Sequence, residues 1–335
     1  MTTRREFSKL ALASLALPRA LLAAGIDSRI AGVRVGVQTY SFRALPRSQN
    51  GDQVDAIVDA MTTCGLGECE VWSPMVEPRG SREDVRKWRL GTSLEHFRDV
   101  KKKFDAAGIT IYAWNYSPNE SFTDEEIDRG FEQAKVLGAE IITASTTIPV
   151  AQRIVPFAEK HKMVVAMHGH SDVSKPGEFA SPESFAEAMK MSKFFKVNLD
   201  IGHFTAANFD AVQYIREHHA SITNIHLKDR KKNQGDNVPW GTGDTPMREV
   251  LQMLKKERWP IRAYIEYEHR GSGTPVEEVE KCFAFVKQAL GDHDSCDSPQ
   301  AVGAHVPPVL RLGRMVRDDG DVAGRDAAFF RGTDR

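Results

Sequence analysis

The chain has 335 residues, of which 41% are hydrophobic, 27% charged and 8% aromatic, enough apolar material for a large folded core, which excludes global disorder. Lysine and arginine number 45 against 46 aspartates and glutamates, so no basic surplus is available to neutralise a phosphate backbone, and a dedicated nucleic-acid binder is disfavoured. The four cysteines, at positions 64, 69, 282 and 296, lack both the density of a disulfide scaffold and the C-x-x-C spacing of a structural zinc site, and read as buried or idle thiols.

In chain order, Thr3-Arg4-Arg5-Glu6-Phe7-Ser8-Lys9 precedes apolar stretches at 10–17 and 20–24. The pattern resembles a twin-arginine export signal, and about fifteen apolar residues are too few for a stable membrane span. The expectation is a signal peptide over 1–24, read by the twin-arginine export machinery, and a periplasmic mature protein. Removing that segment takes away four cations and one anion and leaves a net charge of about −4. A short lead-in at 25–32 follows.

From 33 to 290 one unit recurs eight times: a short apolar, β-branched run, a polar turn, then a segment of helical period. Strands are expected at 33–39, 68–72, 110–115, 140–144, 163–168, 196–201, 222–227 and 261–267. Helices are expected at 53–63, 94–107, 124–137, 154–161, 182–193, 208–219, 246–256 and 275–290. Strict alternation implies a parallel sheet, and eight units match a single-domain α/β protein of the (β/α)8 TIM barrel class. No G-x-G-x-x-G or G-x-x-x-x-G-K follows the first strand, which removes the usual nucleotide-binding reason for an open doubly wound sheet. Residues 291–335 are rich in Gly, Asp, Arg and Pro without sustained period, and read as a disordered tail.

A barrel directs alternate strand residues inward and places functional groups at the strands' C-terminal ends. On the fifth strand His168 and His170 share one parity, on the sixth Asn198 and Asp200, on the seventh His226 and Lys228, on the eighth Glu266 and Glu268. Imidazoles and carboxylates converging from adjacent strands suit one divalent metal, and His168, Asp200, His226 and Glu266 are the candidate ligands. This mixed nitrogen and oxygen set leaves Mn, Zn, Co and Fe open. A lone histidine of this kind is more often a satisfied core residue. Four polar groups at one depth would cost several kcal/mol without a function.

The stretches G-V-Q-T-Y-S-F (36–42), L-D-I-G-H (199–203), I-H-L-K-D (225–229), P-W-G-T-G-D (239–244) and Y-I-E-Y-E (264–268) carry a resemblance to the xylose isomerase-like TIM barrel superfamily. The resemblance is nearest to its sugar phosphate isomerase/epimerase-type proteins with twin-arginine signals. It implies metal-ligand positions at Asp200, His226 and Glu266, active-site positions at His203 and Lys228, and a loop at 241–244 edging the substrate pocket. Family epimerases carry a glutamate on the fifth strand where this chain has His168. The H-x-H of His168 and His170 looks more like keto-inositol dehydratases and enzymes acting on 3-keto-glycosides. The implied activity is a metal-dependent isomerase, epimerase or lyase on a small-molecule carbohydrate, a keto-sugar or keto-glycoside. The metal polarises a carbonyl and a base removes the adjacent proton. Glu266 or Glu268 and one of His170 and His203 are the candidate acid/base groups, with Lys228 as stabiliser of the enolate. Gln38, Tyr40, Trp114 and Trp240 are candidate substrate contacts, although Trp72, Tyr112 and Trp114 equally suit packing.

Two other readings compete. Apurinic endonucleases of the same superfamily hold three zinc ions with further histidines on strands two and three, where this chain offers Glu70-Val71-Trp72 and Ala113-Trp114-Asn115. A non-catalytic sugar-binding barrel would need no metal ligands, since fold alone confers no activity.

Overall fold

The computed structural model describes residues 25–291. The expected signal peptide and, apart from Gly291, the expected tail lie outside the described residues. Eight parallel strands pair in sequence order: β1 (Val33–Gln38), β2 (Glu68–Trp72), β3 (Thr110–Asn115), β4 (Ile141–Ala144), β5 (Val164–His168), β6 (Phe195–Asp200), β7 (Ile222–Leu227) and β8 (Arg262–Ile265). The sheet closes where β1 meets β8, with Val35 opposite Ala263 and Val37 opposite Ile265. This is the (β/α)8 barrel that the alternation implies. Closure needs glycine at position 36, where a Cβ would lie 2.4 Å from the Glu68 carbonyl oxygen and 2.6 Å from the Tyr264 ring. A two-residue strand, Arg29–Ile30, turns back antiparallel on β1.

The helices are α1 (Val54–Cys64), α2 (Arg82–Gly91), α3 (Leu94–Ala106), α4 (Asp124–Leu137), α5 (Ile148–His161), α6 (Pro182–Met191), α7 (Ile201–Ala206), α8 (Ala211–His218), α9 (Met247–Glu257) and α10 (Pro275–Gly291). Local signals set their ends. In α4 the Thr123 hydroxyl accepts from the Glu126 N–H and the Glu126 carboxylate accepts from the Thr123 N–H, while Gly138 at φ 73° ends the helix. Three differences from the expected elements have physical reasons. α2 buries none of its residues, so it carries no apolar period. It is held by the Ser81/Asp84 capping box and by ion pairs of Arg89 to Glu77 and Arg86 to Glu126 at 2.8 and 2.9 Å. α5 starts at Ile148 rather than 154, since Pro149 occupies the first turn, where its missing N–H is harmless. β6 ends at Asp200, because Ile201 already belongs to α7.

The main apolar core lies between strands and helices, and a small cluster of Tyr112, Ala113, Ile141, Ala166 and Tyr264 is separate from it. Cys64, Cys69 and Cys282 are buried and unpaired. Among the described residues no helix is long and apolar enough to cross a membrane.

Barrels of this class usually fill their interior with branched apolar side chains. Here Glu68, Glu70, Asn198, Asn224 and Arg262 are buried on the strands instead. Toward the strands' N-terminal ends, Glu68 Oε1 accepts from Arg262 Nε at 2.9 Å and from the Tyr264 hydroxyl at 2.7 Å, and Glu68 also pairs with Arg34. A second polar layer lies one strand repeat above, under the mouth.

Candidate functional site

The strand ends position the site. Asp200 is both the last residue of β6 and the N-cap of α7, so its Oδ1 accepts from the His203 N–H at 2.7 Å. That bond commits one carboxylate oxygen to the turn and leaves Oδ2 for the cluster. The same turn needs Gly202, where a Cβ would come within 2.7 Å of the Lys228 carbonyl oxygen. His226 and Lys228 follow one another inward on β7 and just past its end, and Glu266 and Glu268 do the same beyond β8.

Ligand atoms of His168, Asp200, His226 and Glu266, all buried, lie within 4.8 Å of one another. Three buried atoms in this group, Asp200 Oδ2, His226 Nδ1 and Glu266 Oε2, have as close partners among the described residues only one another and the Lys228 ammonium, with His226 Nδ1 3.2 Å from Glu266 Oε2. Two carboxylate oxygens and an imidazole nitrogen gathered this closely are the donor types a divalent cation takes, and a single ion can serve all three. His168 donates from Nδ1 to Asn198 Oδ1 at 3.0 Å, which leaves its Nε2 lone pair as the fourth donor. The residues therefore fit a metal, and these four can hold one.

Lys228, 2% exposed, sits among the carboxylates, its Nζ 2.9 Å from Asp200 Oδ2, 2.8 Å from Glu266 Oε2 and 2.5 Å from Glu268 Oε2. Burial alone would lower its pKa, but the three carboxylates raise it well above the ordinary lysine value. Burial likewise opposes protonation of His226, yet Glu70 and Glu266 hold its pKa well above the ordinary imidazole value. For His168 burial wins, helped by the charge of His226, and its pKa falls to about 4. Burial also lowers His170 to about 4 and raises Asp200 and Glu268. His203 has Nδ1 2.7 Å from Arg230 Nη1 and Nε2 3.1 Å from Lys228 Nζ. Burial and the charges of Lys228, His168 and His170 hold it well below the ordinary value.

Beneath the cluster lies Glu70, fully buried on β2. Its Oε1 accepts from Gln38, Asn115 and Thr143 at 2.8, 3.0 and 2.7 Å. Its Oε2 accepts from Asn198, Asn224 and His226 Nε2 at 3.0, 2.9 and 2.9 Å. Burial alone would raise its pKa, but His226 and Thr143 bring it below the ordinary value. Sequence reasoning missed Glu70 and, of its partners, Asn115, Thr143, Asn198 and Asn224 as site residues, while Gln38 and His226 were named in other roles. The available signal was parity, because Asn198, Asn224 and Thr143 stand two residues before Asp200, His226 and Ser145 on their strands.

Residues 75–289 match the family model described as xylose isomerase-like TIM barrel. The chain belongs to that family. Among solved structures, the IolI protein with a bound zinc atom is 14% identical over 78% of this chain and 100% of its own, with TM-score 0.59. The probable 3-DHS dehydratase AsbF of Bacillus anthracis is 14% identical over 76% and 99%, with TM-score 0.56. A sugar phosphate isomerase/epimerase of Parabacteroides distasonis is 17% identical over 76% and 96%, with TM-score 0.54. At these identities the likeness is one of fold. No curated protein matches the sequence.

In this xylose isomerase-like barrel, one cavity of about 190 Å³ is lined by His168, His170, His203, His226, Lys228, Glu266 and Glu268, and by Gln38 and Tyr40 on its β1 side. Trp72, Asn115 and Ser145 complete the lining, with Trp72 edge-on to Tyr40 at 4.7 Å. Two candidate substrate contacts fall elsewhere. Trp114 is fully buried against Phe97 and Tyr116, with ring centroids 6.2 and 6.3 Å away, because Asn115 takes the inward position on β3 and turns its neighbour outward. Trp240 packs edge-on to Phe285 of α10 at 5.7 Å. Its loop is pinned away from the lining by Gly241 and Gly243 N–H groups donating to Asp229 Oδ2 at 2.8 and 2.9 Å. None of residues 239–244 lines the cavity, contrary to what the resemblance implies for that loop.

Proposed function

We propose that the protein is a metal-dependent enzyme acting on a keto-sugar or keto-glycoside, as an isomerase, epimerase or lyase, by removing a proton next to a metal-polarised carbonyl. The observation that carries this reading is the convergence of the buried His168, Asp200, His226 and Glu266 ligand atoms beside one cavity that also holds Glu268, Lys228, His170 and His203. When bound, a divalent ion (Mn, Zn, Co or Fe) supplies Lewis acidity to the carbonyl oxygen. Glu268, with its pKa raised by burial above the ordinary carboxylate value, is suited to take and return a proton. The Lys228 ammonium is placed to hold negative charge developing on the substrate oxygen. Of the two histidine candidates, His170 is the better proton acceptor, because both nitrogens of His203 face cationic donors, Nδ1 the Arg230 guanidinium at 2.7 Å and Nε2 the Lys228 ammonium at 3.1 Å. The cavity is smaller than the roughly 300–1,000 Å³ of drug-sized pockets, which suits a single sugar ring walled by Tyr40 and Trp72. The arginine pair at Arg4 and Arg5 and the apolar run after it support action in the periplasm.

The test is to incubate Mn2+-loaded protein with a panel of keto-sugars and 3-keto-glycosides and follow products by mass spectrometry. Unchanged mass marks isomerisation or epimerisation, loss of water a dehydratase, and loss of the aglycone a lyase. Metal-stripped protein that turned over such substrates at the full rate would overturn the proposal. In His226→Ala, metal and turnover should both disappear, whereas a non-catalytic sugar binder would keep its ligand affinity. The endonuclease reading is disfavoured because β2 and β3 supply Glu70 and Asn115, which hydrogen-bond each other at 3.0 Å. Three zinc ions per chain would revive it.

A further inference from the structure

Resting on the metal reading above, we infer that Glu70 is the positioning residue that sets the tautomers of both histidine ligands, in opposite senses. His226 Nε2 lies 2.9 Å from Glu70 Oε2, nearer than the 3.2 Å to Asn198 Nδ2, and a carboxylate only accepts, so the proton kept on metal binding is the Nε2–H and Nδ1 is the nitrogen turned to the ligand cluster. Asn198 donates from Nδ2 to the same Glu70 oxygen at 3.0 Å, which fixes the orientation of its amide. Its Oδ1 is then turned to His168 and accepts the Nδ1–H at 3.0 Å, so His168 presents Nε2. One carboxylate thereby orients one imidazole directly and the other through an amide relay. A partner behind each metal-binding histidine is a general feature of metal sites and raises ligand basicity. Here both partners trace back to one atom, Glu70 Oε2.

The acceptor character of Glu70 is essential to this arrangement. Both oxygens face donors only, three each. A glutamine at this position would have to turn its NH2 toward one of the two sets. If it faced Asn198, the amide would flip, present Nδ2 to His168, and demand the other tautomer of that ring.

The decisive measurement uses the wild-type chain with 15N-labelled histidine, titrated with zinc and read by two-bond nitrogen to carbon-proton correlation. In the zinc-loaded protein His226 should carry its proton on Nε2 and His168 on Nδ1. Zinc binding with the proton of His226 on Nδ1, or that of His168 on Nε2, would overturn the assignment while leaving the metal reading intact. A wild-type chain that binds no zinc would overturn the metal reading itself. In Glu70→Gln, whose amide cannot serve both donor sets, zinc affinity should fall roughly 10–100-fold, and with the NH2 toward Asn198 the His168 resonances should change tautomer. A purely structural Glu70 would instead lower the melting temperature and leave both tautomers and the zinc affinity of the folded fraction unchanged. Glu70→Gln protein binding zinc within twofold of wild type also overturns the inference.

Discussion

Replacement of Lys228 by methionine separates the fold's need for that ammonium from the metal's. In the metal-free chain its Nζ lies within 2.9 Å of carboxylate oxygens on Asp200, Glu266 and Glu268, and the side chain is 2% exposed. Methionine keeps most of the stem's volume and removes the charge, leaving the buried Asp200 and Glu266 and the half-buried Glu268 with only His226 as a cationic neighbour. Breaking a buried ion pair by deleting one partner costs about 3–5 kcal/mol. For a domain of this size that corresponds to a fall in melting temperature of about 10 °C. A divalent ion at the four ligands restores the lost positive charge, so zinc should raise the melting temperature of Lys228→Met by more than it raises that of wild type. The assay is thermal unfolding by circular dichroism with chelator or with saturating zinc. A metal-free variant melting within about 2 °C of wild type, or equal zinc shifts in the two proteins, would refute the reasoning that the ammonium and the metal serve the same carboxylates.

Further outcomes follow from the same geometry. Because Glu70 and Glu266 outweigh burial and keep His226 protonated in the metal-free chain, coordination through Nδ1 should release about one proton at pH 7. Calorimetric titrations of zinc in buffers of different ionisation enthalpy read that number directly, and a value near zero contradicts the protonated His226. His168, at about 4 when folded against an ordinary imidazole value of 6.5, binds its proton first in the unfolded chain. Metal-free stability should therefore fall as pH drops from 6.5 toward 4, by up to about 3 kcal/mol. Urea unfolding across that window checks this, and His168→Gln should flatten the slope. In Gly202→Ala, the new Cβ would meet the Lys228 carbonyl oxygen at 2.7 Å and its Cβ at 2.9 Å. That clash should cost roughly 1–3 kcal/mol of stability and weaken metal binding through Asp200. An alanine variant with unchanged melting temperature and zinc affinity would show that the turn is free to shift.

The closed barrel and the four candidate ligands were legible because both rest on a period. Strand alternation is a period of two, and a polar residue at the C-terminal end of an apolar strand stands out against it, as Asp200 does after Leu199. Glu70 was not legible as a site residue. A glutamate between Cys69 and Val71 reads as an outward-facing residue until the closed barrel shows that its side is the inside. α2 escaped because it buries nothing, although Ser81 and Asp84 three residues on were a capping signal. Trp114 shows where aromatic content misleads. Asn115 and Trp114 cannot both face inward on a strand, and the bonds of Asn115 to Glu70 and Thr143 at 3.0 Å settle which one does. Trp240 depended on a loop conformation fixed by Asp229, a contact twelve positions away that no local pattern encodes.

The interior of the barrel explains why so polar a floor is tolerated beneath a metal site. Glu68 and Glu70 stand two residues apart on β2, about 7 Å along the strand, and each gathers its own donors, Arg262 and Tyr264 for the first, amides, a hydroxyl and His226 for the second. In the small separate cluster, Ala113, Ile141, Ala166 and Tyr264 hold the inward positions two residues before Asn115, Thr143, His168 and Glu266 and keep the two polar layers apart. An apolar layer there lowers the local dielectric, which strengthens every satisfied hydrogen bond around Glu70 and makes every unsatisfied one expensive. With Asn198 and Asn224 fully buried and His226 1% exposed, the hydrogen-bonded floor is closed to solvent, and Tyr40, Trp72 and His170 are among the residues that line the cavity. Three of the four candidate ligands, His168, His226 and Glu266, line that cavity. A floor whose amides and imidazoles have one satisfied arrangement holds Asp200, His226 and Glu266 in place before any ion or substrate arrives, so binding need not order them.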